Sequence, residues 1–83
     1  MSKKDQAIKN IDLSQELANF IAKNPRAVEE IPQSSAFVAF SSSDEKLNEA
    51  NEKLLASLVK EGKPVVKAVQ TNDKGNPWKF LQV

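Results

Sequence analysis

The sequence predicts a small α/β (α+β) domain with the element order α, short α, β, α, β, β. A long helical pattern lies between two short apolar runs, and a turn-rich segment precedes a final aromatic run. A chain of 83 residues is long enough for one domain with a thin core. We expect residues 1–10 to form a flexible basic tail, because chain ends often fray, and residues 11–83 to form the single domain.

The first helix is indicated by apolar residues that recur with the spacing of one helical face. These residues are Leu13, Leu17, Phe20 and Ile21. Asp12 is suited to cap the start of the helix, and Pro25 disfavours helical geometry at Asn24, where the helix should end. Pro25 should also open a short second helix, capped by Asn24 and stopped by Pro32.

A buried strand and the longest helix follow. The segment 36–40 is apolar throughout and five residues long, which favours a strand over a helix. The helix after it has the clearest apolar periodicity in the chain, formed by Leu47, Ala50, Leu54, Leu55, Leu58 and Val59. Gly62 is suited to the left-handed conformation that ends helices, and Pro64 prevents continuation.

Two further strands complete the predicted sheet. The segment 65–70 is rich in β-branched residues, 72–77 is dense in turn formers, and 78–83 predicts a last strand. A strand, helix, strand crossover makes its two strands parallel, and the last strand should pair antiparallel with the second. We therefore expect a three-stranded mixed sheet with the helices on one face.

The composition excludes several kinds of chemistry. Cysteine and histidine are both absent, which removes thiolate and imidazole metal ligands and the commonest general base near neutral pH. No segment approaches the roughly 20 apolar residues of a membrane-spanning helix. We expect a cytoplasmic protein that is not an enzyme, with no catalytic residue, no cofactor, no metal and no membrane partner.

Two polar segments favour structural roles over ligand binding. Ser42 and Glu45 match the Ser-x-x-Glu capping box, in which side chains occupy the helix N–H groups that an anion would need. The chain should therefore turn a corner at its three serines. Glu45 and Glu49 lie one turn apart, but the spacing of Glu49 and Lys53 is typical of a solvated helix face rather than a metal site.

The strands predict an interaction surface, because side chains alternate between the two faces of a strand. Lysine should mark the solvated face, which leaves apolar residues uncovered around two charges. The predicted interaction face consists of Phe37, Val65, Lys67, Val69, Lys79, Leu81 and Val83. Trp78 and Phe80 should instead lie beneath the helices.

Three short motifs are spread over most of the chain. They are L-S-x-E at Leu13, Ser14 and Glu16, N-P at Asn24 and Pro25, and E-G-x-P-V-V at Glu61, Gly62, Pro64, Val65 and Val66. With the apolar strand between them, they resemble the pattern of a family of short bacterial and archaeal proteins of unknown function, in which the first helix ends in N-P or H-P and the long helix closes on E-G-x-P-V-V. These motifs are caps and breakers, so the resemblance implies no catalytic or binding residues.

These observations predict a non-enzymatic protein-interaction or homo-oligomerisation module whose partner is a second copy or another protein. One alternative is the regulatory half of a two-component pair, such as an antitoxin with its toxin. Another is a weak nucleic-acid binder that uses the lysines at positions 3, 4, 9, 67 and 79. The net charge of +1 makes nucleic acid the less favoured partner.

Overall fold

A computed structural model describes residues 2–83 and has the predicted order of elements. These are α1 (Lys3–Lys23), a 3-10 helix (Pro25–Val28), β1 (Ala36–Phe40), α2 (Glu45–Lys60), β2 (Val65–Gln70) and β3 (Trp78–Gln82). The sheet order is β1-β2-β3, with β1 parallel to β2 and β3 antiparallel to β2. The predicted fold class and three-stranded mixed sheet are confirmed.

Helix α1 begins ten residues before its apolar stripe. The hydroxyl of Ser2 accepts the Asp5 N–H at 3.1 Å and caps the helix. Residues 3–10, which the sequence predicted to be part of a flexible tail over 1–10, are helical. Met1 lies outside the described residues. Asp12 lies inside α1 and is not its cap.

Asn24 closes the other end of α1. Its backbone N–H donates to the carbonyls of Phe20 and Ile21, and its side-chain amide donates to the Phe20 carbonyl at 3.0 Å. The 3-10 helix that follows receives no side-chain cap from Asn24. Asn24 thus ends α1, as predicted, but it does not cap the next helix.

One face of the sheet packs against α1. The buried cluster on this side contains Leu13, Leu17, Ala39, Leu47, Ala68 and Trp78. Phe80 joins it, with its ring centroid 6.3 Å from that of Phe20. Trp78 and Phe80 therefore lie beneath a helix, α1, as the alternation of side chains along the last strand predicted.

The opposite face is partly covered by α2. Leu55 packs there with Val38, Phe40 and Val65, and Leu58 packs against the same cluster. The sequence predicted both helices on one face of the sheet. This is wrong for the part of α2 that contains Leu55 and Leu58. Because α2 runs along β1, it contributes Leu47 to the cluster beneath α1 and Leu55 to the cluster on the opposite face. Leu54, predicted for the apolar stripe, is 42% exposed.

Asn51 joins the two helices to the edge of β1. Its side chain is fully buried and donates to the Ala39 carbonyl at 2.9 Å and to the Asn10 side chain at 2.8 Å. Its oxygen accepts from Gln6 and Asn10, each at 3.0 Å. A buried amide is tolerated when its hydrogen bonds are satisfied, so Asn51 fixes α1, α2 and β1 together.

Candidate functional site

The sheet has an open face on the side of β2 and β3 that α2 covers only in part. The cross-strand pairs Lys67–Leu81 and Val69–Lys79 place their side chains together on this side. The N–H of Val83 donates to the Val65 carbonyl at 3.0 Å and continues the ladder. We define the open face as Lys67, Val69, Lys79, Leu81 and Val83.

The open face exposes apolar side chains along its outer strand, β3. Leu81 is 43% exposed and Val83 is 60% exposed. Val69 is half-buried because it packs against the cluster beneath α2. The exposed area therefore increases from β2 toward β3, the strand farthest from α2.

An acidic wall borders the open face. Glu45, Glu49 and Glu52 project from α2 into a groove of about 490 Å³ whose floor includes Lys67 and Val69. The groove lies between α2 and the strands, so a bound chain would contact carboxylates on one side and apolar strand residues beneath. We refer to these three residues as the glutamate wall.

The two lysines of the open face differ in their surroundings. The ammonium of Lys67 lies 3.4 Å from a Glu52 carboxylate oxygen and 4.4 Å from the centroid of the Phe40 ring. Glu52 and Phe40 thus hold Lys67 in place and offset its charge. Lys79 is exposed and belongs to neither ion pair of residues 2–83, so its charge faces solvent.

Two residues of the predicted interaction face lie elsewhere. Val65 is on the same side of β2 but is only 2% exposed, because Leu55 of α2 covers it. Phe37 pairs with Val66 and therefore lies on the α1 side of the sheet, where its ring meets that of Phe80 edge to face at 6.2 Å. The structure brings together the other five residues.

The serine segment after β1 forms a turn that is held by internal hydrogen bonds. The Ser41 hydroxyl accepts the N–H groups of Ser43 and Asp44, at 3.1 and 3.2 Å. The cap of α2 is Asp44, whose carboxylate accepts the Leu47 N–H at 3.0 Å, rather than the predicted pair of Ser42 and Glu45. Backbone groups at this helix start are therefore occupied by side chains of the chain itself.

Asp44 also pairs with α1. Its second carboxylate oxygen lies 3.1 Å from the ammonium of Lys9. The hydrogen bond from the Leu47 N–H, followed by the one from Lys9, lowers the pKa of Asp44 below 3.8, the ordinary value for aspartate. The carboxylate therefore stays ionised near neutral pH, where it repels an anion at the helix start.

The Family of unknown function (DUF5647) matches residues 5–75. The chain belongs to this family. No curated protein and no solved structure matches it.

The DUF5647 match covers most of α1, both parallel strands and α2, and it stops before β3. Lys67 and Val69 of the open face thus lie within the matched segment, and Lys79, Leu81 and Val83 lie after it. Within residues 2–83, no group of three or more acidic residues is arranged to hold a metal ion. No helix in the same range has the length and apolar character needed to cross a membrane.

Proposed function

We propose that the protein is a cytoplasmic, non-enzymatic interaction module that binds another polypeptide chain through the open face. The exposed apolar pair Leu81 and Val83 carries the proposal. Leu81 and Val83 lie two residues apart on the same side of β3, and an extended exposed apolar patch, unlike single exposed residues, marks an interaction site. The lysines within it would set the orientation of the partner rather than supply most of the affinity.

The charges around the open face favour a protein partner over nucleic acid. The glutamate wall borders the groove and would repel phosphates. Lys67 is already paired with Glu52, and Lys9 with Asp44. These pairs reduce the positive charge that a nucleic-acid backbone would contact.

The expected partner segment is apolar with an acidic residue at one side. Its apolar side chains would pack on Val69, Leu81 and Val83, and its carboxylate would approach Lys79. The opposite side of the segment would need neutral or basic residues, because it would face the glutamate wall. A polar rim around an apolar centre is typical of protein interfaces.

Pull-down from lysate of the source cell, with immobilised wild-type protein and face variants, tests the proposal. We expect Val69→Glu and Leu81→Glu to lose a specific bound protein. Leu54→Glu is the matched control, since Leu54 is 42% exposed, nearly the same as Leu81 at 43%, and does not line the groove. Retention of every bound protein by both face variants, or equal loss with the Leu54 control, would contradict the proposal.

A further inference from the structure

The outer edge of β3 carries backbone groups that are not paired. The backbone N–H of Thr71 donates to the Pro77 carbonyl at 2.7 Å, and the backbone N–H of Val83 donates to the Val65 carbonyl at 3.0 Å. Hydrogen-bonded pairs alternate along antiparallel strands, so Lys79 and Leu81 also turn their N–H and C=O groups toward β2. The groups of Trp78, Phe80 and Gln82 point away from the sheet.

The two edge strands of the sheet differ in whether another element bonds to their outward backbone groups. At the β1 edge, Asn51 of α2 donates to the Ala39 carbonyl at 2.9 Å and covers it. At the β3 edge, no hydrogen bond from elsewhere in residues 2–83 reaches the outward groups of Phe80 or Gln82. β3 lacks proline but carries Lys79. Both residue types are devices by which proteins block edge pairing, so a pairing register must keep the two copies of Lys79 apart.

We propose that two copies of the protein pair through this edge, with β3 antiparallel to β3 of the second copy about a two-fold axis at Phe80. The three-stranded sheets would then form one six-stranded sheet. This inference goes beyond the proposed function, because it uses backbone groups at the edge rather than side chains on the open face.

The sequence of β3 is self-complementary in this register. Phe80 would exchange hydrogen bonds with Phe80 of the second copy, and Trp78 with Gln82, so every outward group on the strand is used. Shifting the axis to Lys79 or Leu81 leaves some of these groups without a partner strand. An axis at Lys79 would also place the two Lys79 side chains directly opposite each other, which is unfavourable.

In the proposed register each Lys79 lies opposite Leu81 of the second copy. The like charges are therefore separated, and each lysine stem can pack along a leucine. A pair of five-residue strands forms a smaller interface than the roughly 1,200–2,000 Å² typical of stable complexes. We therefore expect a dimer whose population depends on protein concentration.

Two charge variants at Leu81 test the register of β3 against β3 of the second copy. Their dimerisation is measured by sedimentation across a series of protein concentrations. Leu81→Glu would place a carboxylate opposite Lys79 of the second copy and should tighten dimerisation by between about twofold and thirtyfold, from the two symmetric pairs. Leu81→Lys would oppose like charges and should weaken dimerisation. The opposite order, or wild-type protein that is monomeric at every concentration, would overturn the proposal.

Amide hydrogen exchange tests the edge itself in the wild-type chain. The amides of Lys79, Leu81 and Val83 should be protected at every concentration, whereas those of Phe80 and Gln82 should gain protection as the dimer forms. Gln82→Pro, which removes an outward N–H, should abolish the dimer while Gln82→Ala retains it.

Three results would contradict edge pairing by a second copy. If the sedimentation mass rises with protein concentration while the Phe80 and Gln82 amides stay unprotected, self-association occurs elsewhere, such as on the open face. Protection that requires added lysate would assign the edge to a different chain. A Gln82→Pro variant that dimerises like wild type would show that the outward N–H is not used. None of these results requires Leu81→Glu and Leu54→Glu to behave alike in the pull-down, so edge pairing and binding at the open face can fail independently.

Discussion

The side-chain nitrogen of Asn51 lies 2.9 Å from the carbonyl oxygen of Ala39, at the edge of the sheet that α2 covers. Asn51 is 0% exposed, so this hydrogen bond forms away from water. It satisfies a strand carbonyl that β2 does not pair and positions α2 against β1. The same amide contacts Asn10 of α1, so one side chain connects three elements.

Replacing Asn51 should destabilise the fold strongly. Asn51→Ala would leave the Ala39 carbonyl buried without a partner, which costs about 1–3 kcal/mol in the free energy of unfolding before packing losses are added. Asn51→Asp should also destabilise, because a carboxylate cannot donate to that carbonyl. Urea denaturation followed by the fluorescence of Trp78, the single tryptophan, measures both changes.

Asn19→Ala, at an exposed position of α1, is the control for the Asn51 variants. It should change the free energy of unfolding by less than about 0.5 kcal/mol. An Asn51→Ala variant within the same range would show that the three-way contact contributes little to stability.

Two adjacent leucines of α2 should respond very differently to truncation. Leu55 is 8% exposed and packs with Val38 and Phe40, whereas Leu54 is 42% exposed. Leu55→Ala should cost about 2–5 kcal/mol because it removes buried apolar atoms and leaves a cavity. Leu54→Ala should cost less than about 1 kcal/mol. Equal losses in chemical denaturation would mean that the helix is rotated from the orientation described.

The sequence was sufficient to predict the strands and α2 because their signals are local. The β1 and β2 segments, 36–40 and 65–70, were identified to the residue. Gly62 was identified as the stop of α2, and its φ of 79° is the left-handed geometry expected there. These signals depend on neighbouring residues in the chain, so no tertiary information was needed.

The first ten residues of α1 were missed because the side chains that face α2 there are polar rather than apolar. Gln6 and Asn10 face α2 and bond to Asn51, so the apolar stripe begins only at Leu13. Asn51 itself occupies the position between Leu47 and Leu55 on the buried stripe of α2. An asparagine at that spacing was the available signal for a buried polar contact.

Part of the interaction face was misassigned because alternation within a strand does not say which face a helix covers. Phe37 and Val65 were assigned to the uncovered side. The path of α2 along β1 buries Val65, and the parallel register turns Phe37 toward α1. Both depend on the three-dimensional crossing of helix and sheet, which the spacing of residues does not determine.

The two glycines should differ in their tolerance of alanine. Gly62 has a φ of 79°, and a Cβ added there would meet no atom within 4 Å. Gly62→Ala should therefore cost about 1 kcal/mol through backbone strain alone. Gly75, which lacks a positive φ, should tolerate alanine at a smaller cost. Thermal denaturation of both variants provides the comparison, and a Gly62→Ala variant as stable as Gly75→Ala would argue against the left-handed cap.

Acid should destabilise the fold partly through Asp44. Hydrogen bonds from the Leu47 N–H and from Lys9 lower its pKa below 3.8 in the native state. The unfolded chain then binds a proton more readily than the native chain as the pH falls through this range. The stability contributed by ionised Asp44 is thus present above pH 3.8 and is lost as the pH falls through the lower, native pKa.

Asp44→Asn should remove this part of the acid dependence. Asparagine still caps a helix, but it neither titrates nor pairs with Lys9 as an ion. The free energy of unfolding of the Asp44→Asn variant should therefore fall less steeply below pH 3.8 than that of wild type. Titration of the Asp44 carboxyl by NMR gives the direct measurement, and Lys9→Gln should move its midpoint upward without restoring the ordinary value, since the Leu47 hydrogen bond remains. A wild-type midpoint at or above 3.8, or parallel acid curves for wild type and Asp44→Asn, would contradict the assigned role of this carboxylate.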